Sequence, residues 1–408
     1  MKKLVLIVSL SLGLWSCAEL QSKVNGEKPF LETLPLAPVE VSWFRQFAEY
    51  GVDRFSELRP ALGEDLVVLA DKRGDVSGYV LSDGAEQWRK SMSVQFTAGP
   101  EFGKNKILLG TRNAEVVALS AESGQELWQV RVSSEVLSAP RLAEDMVIVH
   151  TADGKVQGIS AENGQTIWTF SRQVPVLTLR GTGSPLVVDD TVIIGLPTGK
   201  LVALAAADGK MLWESPVALP RGRSELERIV DIDGRIQHAD GTLYVTSYQG
   251  QVAALTIESG RVLWTREMSS YLGVTIDGRH LYVTDVEGKV WALDKDSGAT
   301  VWMQDKLAGA NTVVTVVGDH LVIGDVDGGL YWMTATDGRL VARYPYLEFA
   351  TRTGLLNPAE PDDARDGFKR SQGYNDIGVA SAPVATANGL LVTYRSGVMA
   401  NISLKSTM

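Results

Sequence analysis

The chain is short of the residues that carry most enzyme chemistry. Its 408 residues include one cysteine, Cys17, and four histidines, His150, His238, His280 and His320. A single thiol cannot close a disulfide within the chain, so packing and hydrogen bonds must hold the fold. The histidines stand far apart, and no HExxH spacing occurs, which removes the common zinc patterns. No GxSxG elbow is present. The acidic pairs Asp231/Asp233 and Asp325/Asp327 resemble the opening of a calcium loop, yet neither has the downstream Glu of an EF-hand. Asp325 and Asp327 fall in a strand-to-strand turn, where Asp–Gly turn chemistry accounts for them. His280 and His320 fall in turns before strands and read as solvated loop residues. Positive charge is scarce as well: 39 Lys and Arg face 49 Asp and Glu, a net charge of −10. Nucleic-acid binding needs a basic stripe, and none is visible. On these grounds we assign no catalytic residue, no metal ligand and no cofactor site.

What the chain has in quantity is one repeated phrase: a small or acidic residue, Gly, three residues, then Trp. It runs from Ser82 to Trp88, Glu122 to Trp128, Glu162 to Trp168, Ala207 to Trp213, Glu258 to Trp264 and Asp296 to Trp302. A seventh copy, Thr336 to Ala342, keeps Gly338 and puts Ala where Trp is expected. Each phrase follows two β-rich runs. In one copy these are Lys106 to Gly110 and Glu115 to Ser120, and the Trp run is Glu126 to Val132. Equivalent first runs begin near Leu66, Ile107, Met146, Val192, Leu243, Leu281, Leu321 and Leu390. Short strands divided by Gly, Asp and Asn turns indicate antiparallel β-structure. A period of about 40 residues indicates a closed array.

The Gly suits a tight turn at positive φ. The Trp, at fixed spacing, suits a wedge between neighbouring sheets. Eight first runs and eight middle runs are present, but only seven runs of the Trp type follow a Gly turn. The eighth is Val41 to Phe47, far upstream, while the chain stops after a middle run, Val398 to Leu404. The expected fold is therefore all-β: an eight-bladed β-propeller of four-stranded antiparallel blades over residues 41–408. The N-terminal strand joins the C-terminal blade and closes the ring, which removes an exposed sheet edge.

Residues 1–16 read as a secretory signal, with Lys2 and Lys3 ahead of an apolar stretch from Leu4 to Leu14. That stretch is too short for a comfortable membrane span. The following Leu14-Trp15-Ser16-Cys17 resembles the bacterial lipobox, which implies diacylation of Cys17. Ala18, where Asp would retain a lipoprotein at the inner membrane, implies the periplasmic face of the outer membrane. Loss of Lys2 and Lys3 takes the net charge from −10 to −12. Residues 17–40, with prolines at 29, 35 and 38, read as a lipidated tether.

Two segments break the blade rhythm. One runs from Arg172 to Pro185 and the other from Arg221 to Arg235, which stretches the Trp213–Trp264 spacing to 51 residues. Both follow a Trp run, so both emerge on one face of the ring. A third departure, residues 344–377, is polar and rich in Pro and Asp and reads as a long loop insertion.

The Gly–Trp blades are similar to those of the quinoprotein dehydrogenase fold, whose members bind pyrroloquinoline quinone and Ca²⁺ in the central funnel. Those enzymes are longer, and many carry a vicinal Cys pair that this chain lacks. Lipobox, blades and the two stretched segments together resemble the BamB family, lipoproteins of the outer-membrane β-barrel assembly (BAM) machinery. The resemblance covers essentially the whole chain beyond the signal. It implies a non-catalytic scaffold that binds the periplasmic POTRA domains of BamA, alongside other BAM subunits and unfolded barrel clients. The family's VPxLxLRG-type loop and DxD segment map onto Leu177, Leu179 and Arg180, and onto Asp231 and Asp233. The alternative is a quinoprotein-like dehydrogenase or a ligand-binding propeller.

Overall fold

The computed structural model describes residues 33–48, 57–175, 183–220, 226–307, 312–346, 378–387 and 389–404, with 31, 178, 223, 224, 309 and 350 as isolated positions. Leu177, Leu179, Arg180 and Cys17 lie outside the described residues, as does nearly all of the 344–377 insertion.

Eight sheets follow one another along the chain, each antiparallel in its four main strands. Blade 2 is representative. Its strands, from the centre outward, are Phe96–Gly103, Lys106–Thr111, Glu115–Ser120 and Glu126–Arg131. The second and third strands of every blade are almost wholly buried, and the outermost strand shows solvent one face. The innermost strands are only two to four residues long in seven blades, for example Arg141–Ala143 and Leu186–Val188. Their half-buried residues carry no period to read, which is why the sequence shows three runs per blade and not four.

The ring closes as expected. Val39–Gln46 pairs antiparallel with Val398–Leu404, placing Trp43 in the outermost strand of blade 8. Two differences appear. Glu57–Leu58 adds a fifth, parallel strand along the inner edge of blade 2. The propeller also begins earlier than residue 41. Leu31, Leu34 and Ala37 are buried against blades 6, 7 and 8, so apolar packing claims the end of the expected tether.

The Gly–Trp phrase works across blade boundaries. Each Trp lies over the Gly of the next blade's phrase: Trp43 over Gly84, Trp88 over Gly124, Trp128 over Gly164 and onward to Trp302 over Gly338. A Cβ at any of these glycines would run into the indole. All seven also sit at positive φ, between 67° and 75°, so two separate demands select Gly. Each indole N–H then donates to a backbone carbonyl of that next blade, from Trp88 Nε1 to Ala121 O at 2.9 Å through Trp302 Nε1 to Ala335 O at 3.0 Å. A β-bulge at the residue before each Trp sets the ring inward and turns that residue outward. Hence Leu127, Ile167, Leu212, Leu263 and Val301 form a row of exposed apolar side chains around the rim.

Blade 7 inverts the arrangement. In blades 1 to 6 a Gly or Ala on the third strand faces the Trp, as in Ala118 opposite Trp128, and in blade 8 Asn401 faces Trp43. In blade 7 Trp332 faces Ala342, so the ring has moved one strand inward. Trp332 is fully buried, and its N–H finds no acceptor among the described residues. The boundary between blades 7 and 8 thus has no Trp–Gly lock, and the N-terminal segment braces it instead. Arg343 N–H donates to Pro35 O at 3.0 Å, Ala37 N–H donates to Arg343 O at 2.8 Å, and the chain continues directly into blade 8.

Truncating one indole should show its weight. Trp128→Ala removes a buried ring and its hydrogen bond and should cost about 3–5 kcal/mol. Leu127→Ala, one residue away on the exposed bulge, should cost under about 0.5 kcal/mol. Chemical denaturation of the two variants side by side measures the contrast.

Candidate partner-binding surface

Alternating strand direction puts two sets of segments on one face: the turns between second and third strands, and the connections from each outermost strand to the next innermost strand. A repeated backbone hydrogen bond ties them together. Arg112 N–H donates to Gln95 O, Ala152 to Glu135, Tyr248 to Asp231, Val286 to Ser269, Val326 to Gly309 and Arg395 to Gly378, at 2.8–3.2 Å. Each pair is 17 residues apart. In blade 4 the donor position is Pro197, which has no N–H to give. Seventeen residues before it stands Arg180.

The connection from blade 3 to blade 4 is fixed at both described ends. At its entry Arg172 N–H donates to Gly154 O at 3.0 Å, and the Arg172 guanidinium meets Glu214 at 3.2 Å while lying 4.6 Å from the Phe170 ring centre. Lys200 reaches the other Glu214 oxygen at 2.7 Å, and these two cations hold the Glu214 carboxyl below its usual range. At its exit Gly183 lies against the Ile232 carbonyl, which would stand 2.8 Å from a Cβ there. Ile232 is itself buried in the core shared by blades 4 and 5. The two stretched segments are therefore neighbours, as their shared face predicts.

The family model described as "Outer membrane protein assembly factor BamB" matches residues 72–304 and 273–345. The protein of that name from Kangiella koreensis is 33% identical over 347 residues, covering 83% of this chain and 87% of its own. The chain belongs to the BamB family. A Pseudomonas aeruginosa member is 50% identical over 101 residues, though that match spans only 27% of its length. An Alkalilimnicola ehrlichii member matches over 49% of its length at 41% identity. Among solved structures, BamB from Moraxella catarrhalis superposes with a TM-score of 0.73 at 25% identity, over 88% of this chain and 99% of that one. A quinohemoprotein alcohol dehydrogenase from Comamonas testosteroni reaches a TM-score of 0.65 at 13% identity, a likeness of fold alone.

Within this BamB-family chain, the described members of the expected site are Asp231 and Asp233. Asp231 is 1% exposed, and its backbone carbonyl receives the Tyr248 N–H at 3.0 Å. Its side chain is turned into the protein, so of the two uses open to it, direct contact with a partner and internal support, the burial suits support. Asp233 is half-buried and closer to solvent. Just beyond, Gly234 packs against Gly273, and Arg235 pairs with Gly273 in a parallel bridge. The segment is thus stitched to blades 4, 5 and 6 in succession.

Sequence reasoning missed three exposed apolar residues on the same face. Leu219 is 65% exposed in the connection from blade 4 to blade 5. Tyr271, in the next connection, and Val286, in the blade 6 turn tied to that connection, are also exposed. For Leu219 and Tyr271 the available signal was their position in connections of the same class as Arg172 to Pro185. His280 and His320 differ from expectation: each opens a second strand and is half-buried, because the strand starts one residue earlier than its apolar run. Asp325 is a turn residue as read, accepting the N–H groups of Asp327 and Gly329 and the Tyr331 hydroxyl at 2.7–3.0 Å. Burial beside that carboxylate pushes the Tyr331 phenol well up. Among the described residues no group of three or more His, Cys, Asp or Glu is placed to hold a metal ion.

His150 lies beneath the exit of the blade 3–4 connection. It is 1% exposed, and burial brings its pKa down to about 4. Its unfolded value is higher, so the unfolded chain binds the extra proton between about pH 4 and 6.5. The neutral ring is retained above that window without penalty. Stability should fall by up to about 3 kcal/mol as pH drops through it. Denaturation at pH 7 and pH 4.5 should show a smaller loss in His150→Gln than in the unaltered protein.

Proposed function

We infer that this chain is a non-catalytic scaffold of the outer-membrane β-barrel assembly machinery, held at the periplasmic face of the outer membrane. Membership of the BamB family carries the reading. The dehydrogenase alternative has only a 13%-identical likeness of fold in its favour.

The partner is the set of periplasmic POTRA domains of BamA, met by the connection-bearing face at blades 3 to 5. Leu177 and Leu179 enter an apolar groove on the partner, each contributing about 1.5–3 kcal/mol on full burial. Arg180 pairs with a partner carboxylate through its planar fork of donors. Asp231, buried beneath this surface, supports it from inside, and Asp233 stands nearer its edge. Leu219 and Tyr271 lie on the same face and extend the apolar area available for contact. Such a surface places BamA and its clients and performs no covalent step. Diacylation of Cys17 would anchor the propeller to the membrane, with the intervening chain as tether.

Two experiments test this. A protein carrying Leu177→Ala with Arg180→Ala should lose co-purification with BamA, at least about ten-fold, while its melting temperature stays within a few degrees. Retention of BamA by that folded double variant would sink the assignment. Cys17→Ser should move the protein from the membrane pellet to the soluble periplasmic fraction, and continued sedimentation with outer membranes would overturn the anchor.

A further inference from the structure

One position in the repeat is small in every blade except blade 3. It lies at the end of the second strand, paired in every blade with the third-strand residue six positions on: Ala70, Gly110, His150, Gly195, Thr246, Thr284, Gly324 and Thr393. In blades 2, 3, 4, 6 and 7 the position packs against the connection that leads to the next blade. In blades 2, 4 and 7 the strand offers Gly and the connection offers a branched side chain: Val136 over Gly110, Ile232 over Gly195 and Val379 over Gly324. In blade 6 a short side chain reaches across, with Thr284 Oγ1 donating to Thr312 O at 3.0 Å.

Blade 3 reverses the sizes. The strand supplies the imidazole of His150 and the connection supplies Gly183, with Nδ1 3.4 Å from the Gly183 carbonyl oxygen. Donation to that carbonyl requires the proton on Nδ1, so Nε2 carries a lone pair. Nε2 is buried and has no hydrogen-bond partner among the described residues. An unmet buried acceptor is costly, and an apolar side chain would fill the space without that cost. Packing alone therefore does not explain a histidine here. The bond to Gly183 does, because Gly183 has no side chain with which to hold itself. The lack of a side chain has its own cause, since the Ile232 carbonyl occupies the place a Cβ would take. His150, Gly183 and Ile232 thus form a chain of contacts from blade 3, through the end of one stretched segment, into the other.

We propose that His150 is a positioning residue of the partner surface, holding the exit of the Arg172 to Pro185 connection at Gly183 against the Ile232–Asp233 segment so that both are presented together. The role rests on the reading of that face as the BamA-binding surface. His150 itself touches no partner. Its effect is to set in advance the relative placement of two contact segments, which lowers the ordering cost of association.

The test compares His150→Ala, His150→Asn and the Leu177→Ala/Arg180→Ala double variant, using purified BamA POTRA domains as the probe. Asn can place an amide N–H where Nδ1–H stood, whereas Ala cannot. His150→Ala should bind the probe about ten-fold more weakly, and His150→Asn should recover to within about three-fold of the unaltered protein. Hydrogen exchange should accelerate in His150→Ala at both Gly183 to Val188 and Ile232 to Arg235, with blade 6 strands unchanged. A folded His150→Ala that binds normally beside a defective double variant overturns the positioning role and leaves the BamA surface standing. A double variant that binds normally overturns the surface. Exchange then decides the coupling by itself, because unchanged rates at both segments refute it and faster rates at both support it. Should His150→Ala fail to fold, Gly183→Ala tests the same link, since its Cβ must displace the Ile232 carbonyl. Unchanged binding and exchange in that variant overturn the proposal.

Discussion

Every ordinary boundary in this ring rests on an indole lying across a glycine. The contact does several things at once. It fills the wedge between neighbouring sheets with a large rigid ring, and it donates a directed hydrogen bond to the next blade. It also reserves the turn for a residue with no Cβ, which the positive φ demands independently. Seven boundaries use it, from Trp43 over Gly84 to Trp302 over Gly338. Because the third and outermost strands hang on that contact, the turns and connections of one face are held at fixed spacings, and a binding surface can be assembled from segments of several blades.

Where the rule is broken, the break is compensated by exchanging large for small. Trp332 and Ala342 swap places across one strand pair, and the N-terminal segment takes over the brace at blade 8. His150 and Gly183 exchange sizes in the same manner at the end of a second strand. A close-packed interior tolerates this because the filled volume is kept, even though the partners change. The two inversions differ in what they leave behind. Both bury a nitrogen without a partner among the described residues, Trp332 Nε1 and His150 Nε2, but only the second lies beside the stretched connections.

Much of the architecture was legible in the sequence because Trp, Gly and branched aliphatic residues recur at a fixed period. The lone Trp43 run and the Trp-less copy at Ala342 were enough to close the ring. The innermost strands were not legible, since two or three half-buried residues such as Leu186–Val188 carry no pattern. The strap at Leu31, Leu34 and Ala37 was hidden by its prolines, which read as tether. For the candidate site, the shared face of the two stretched segments followed from topology. The burial of Asp231 did not, because a carboxylate in a charged insertion looks the same in sequence whether it faces water or the core. His150 was set aside with the other histidines, and only alignment of the blades by structure shows that its seven counterparts are small.

The closing strand has a kinetic meaning. Gln46 bonds through its side chain to Ser396 O, 350 residues away, and the whole of Val39–Gln46 pairs with the last strand of the chain. Nearly all other strand pairs form between neighbours in sequence, at little loop-closure entropy. Blade 8 alone joins strands from opposite ends of the described chain, so its closing pair carries the largest loop-closure entropy among the blade strand pairs. The strand that completes it is also the N-terminal one, so loss of Val39–Gln46 would leave blade 8 with three strands and an open edge.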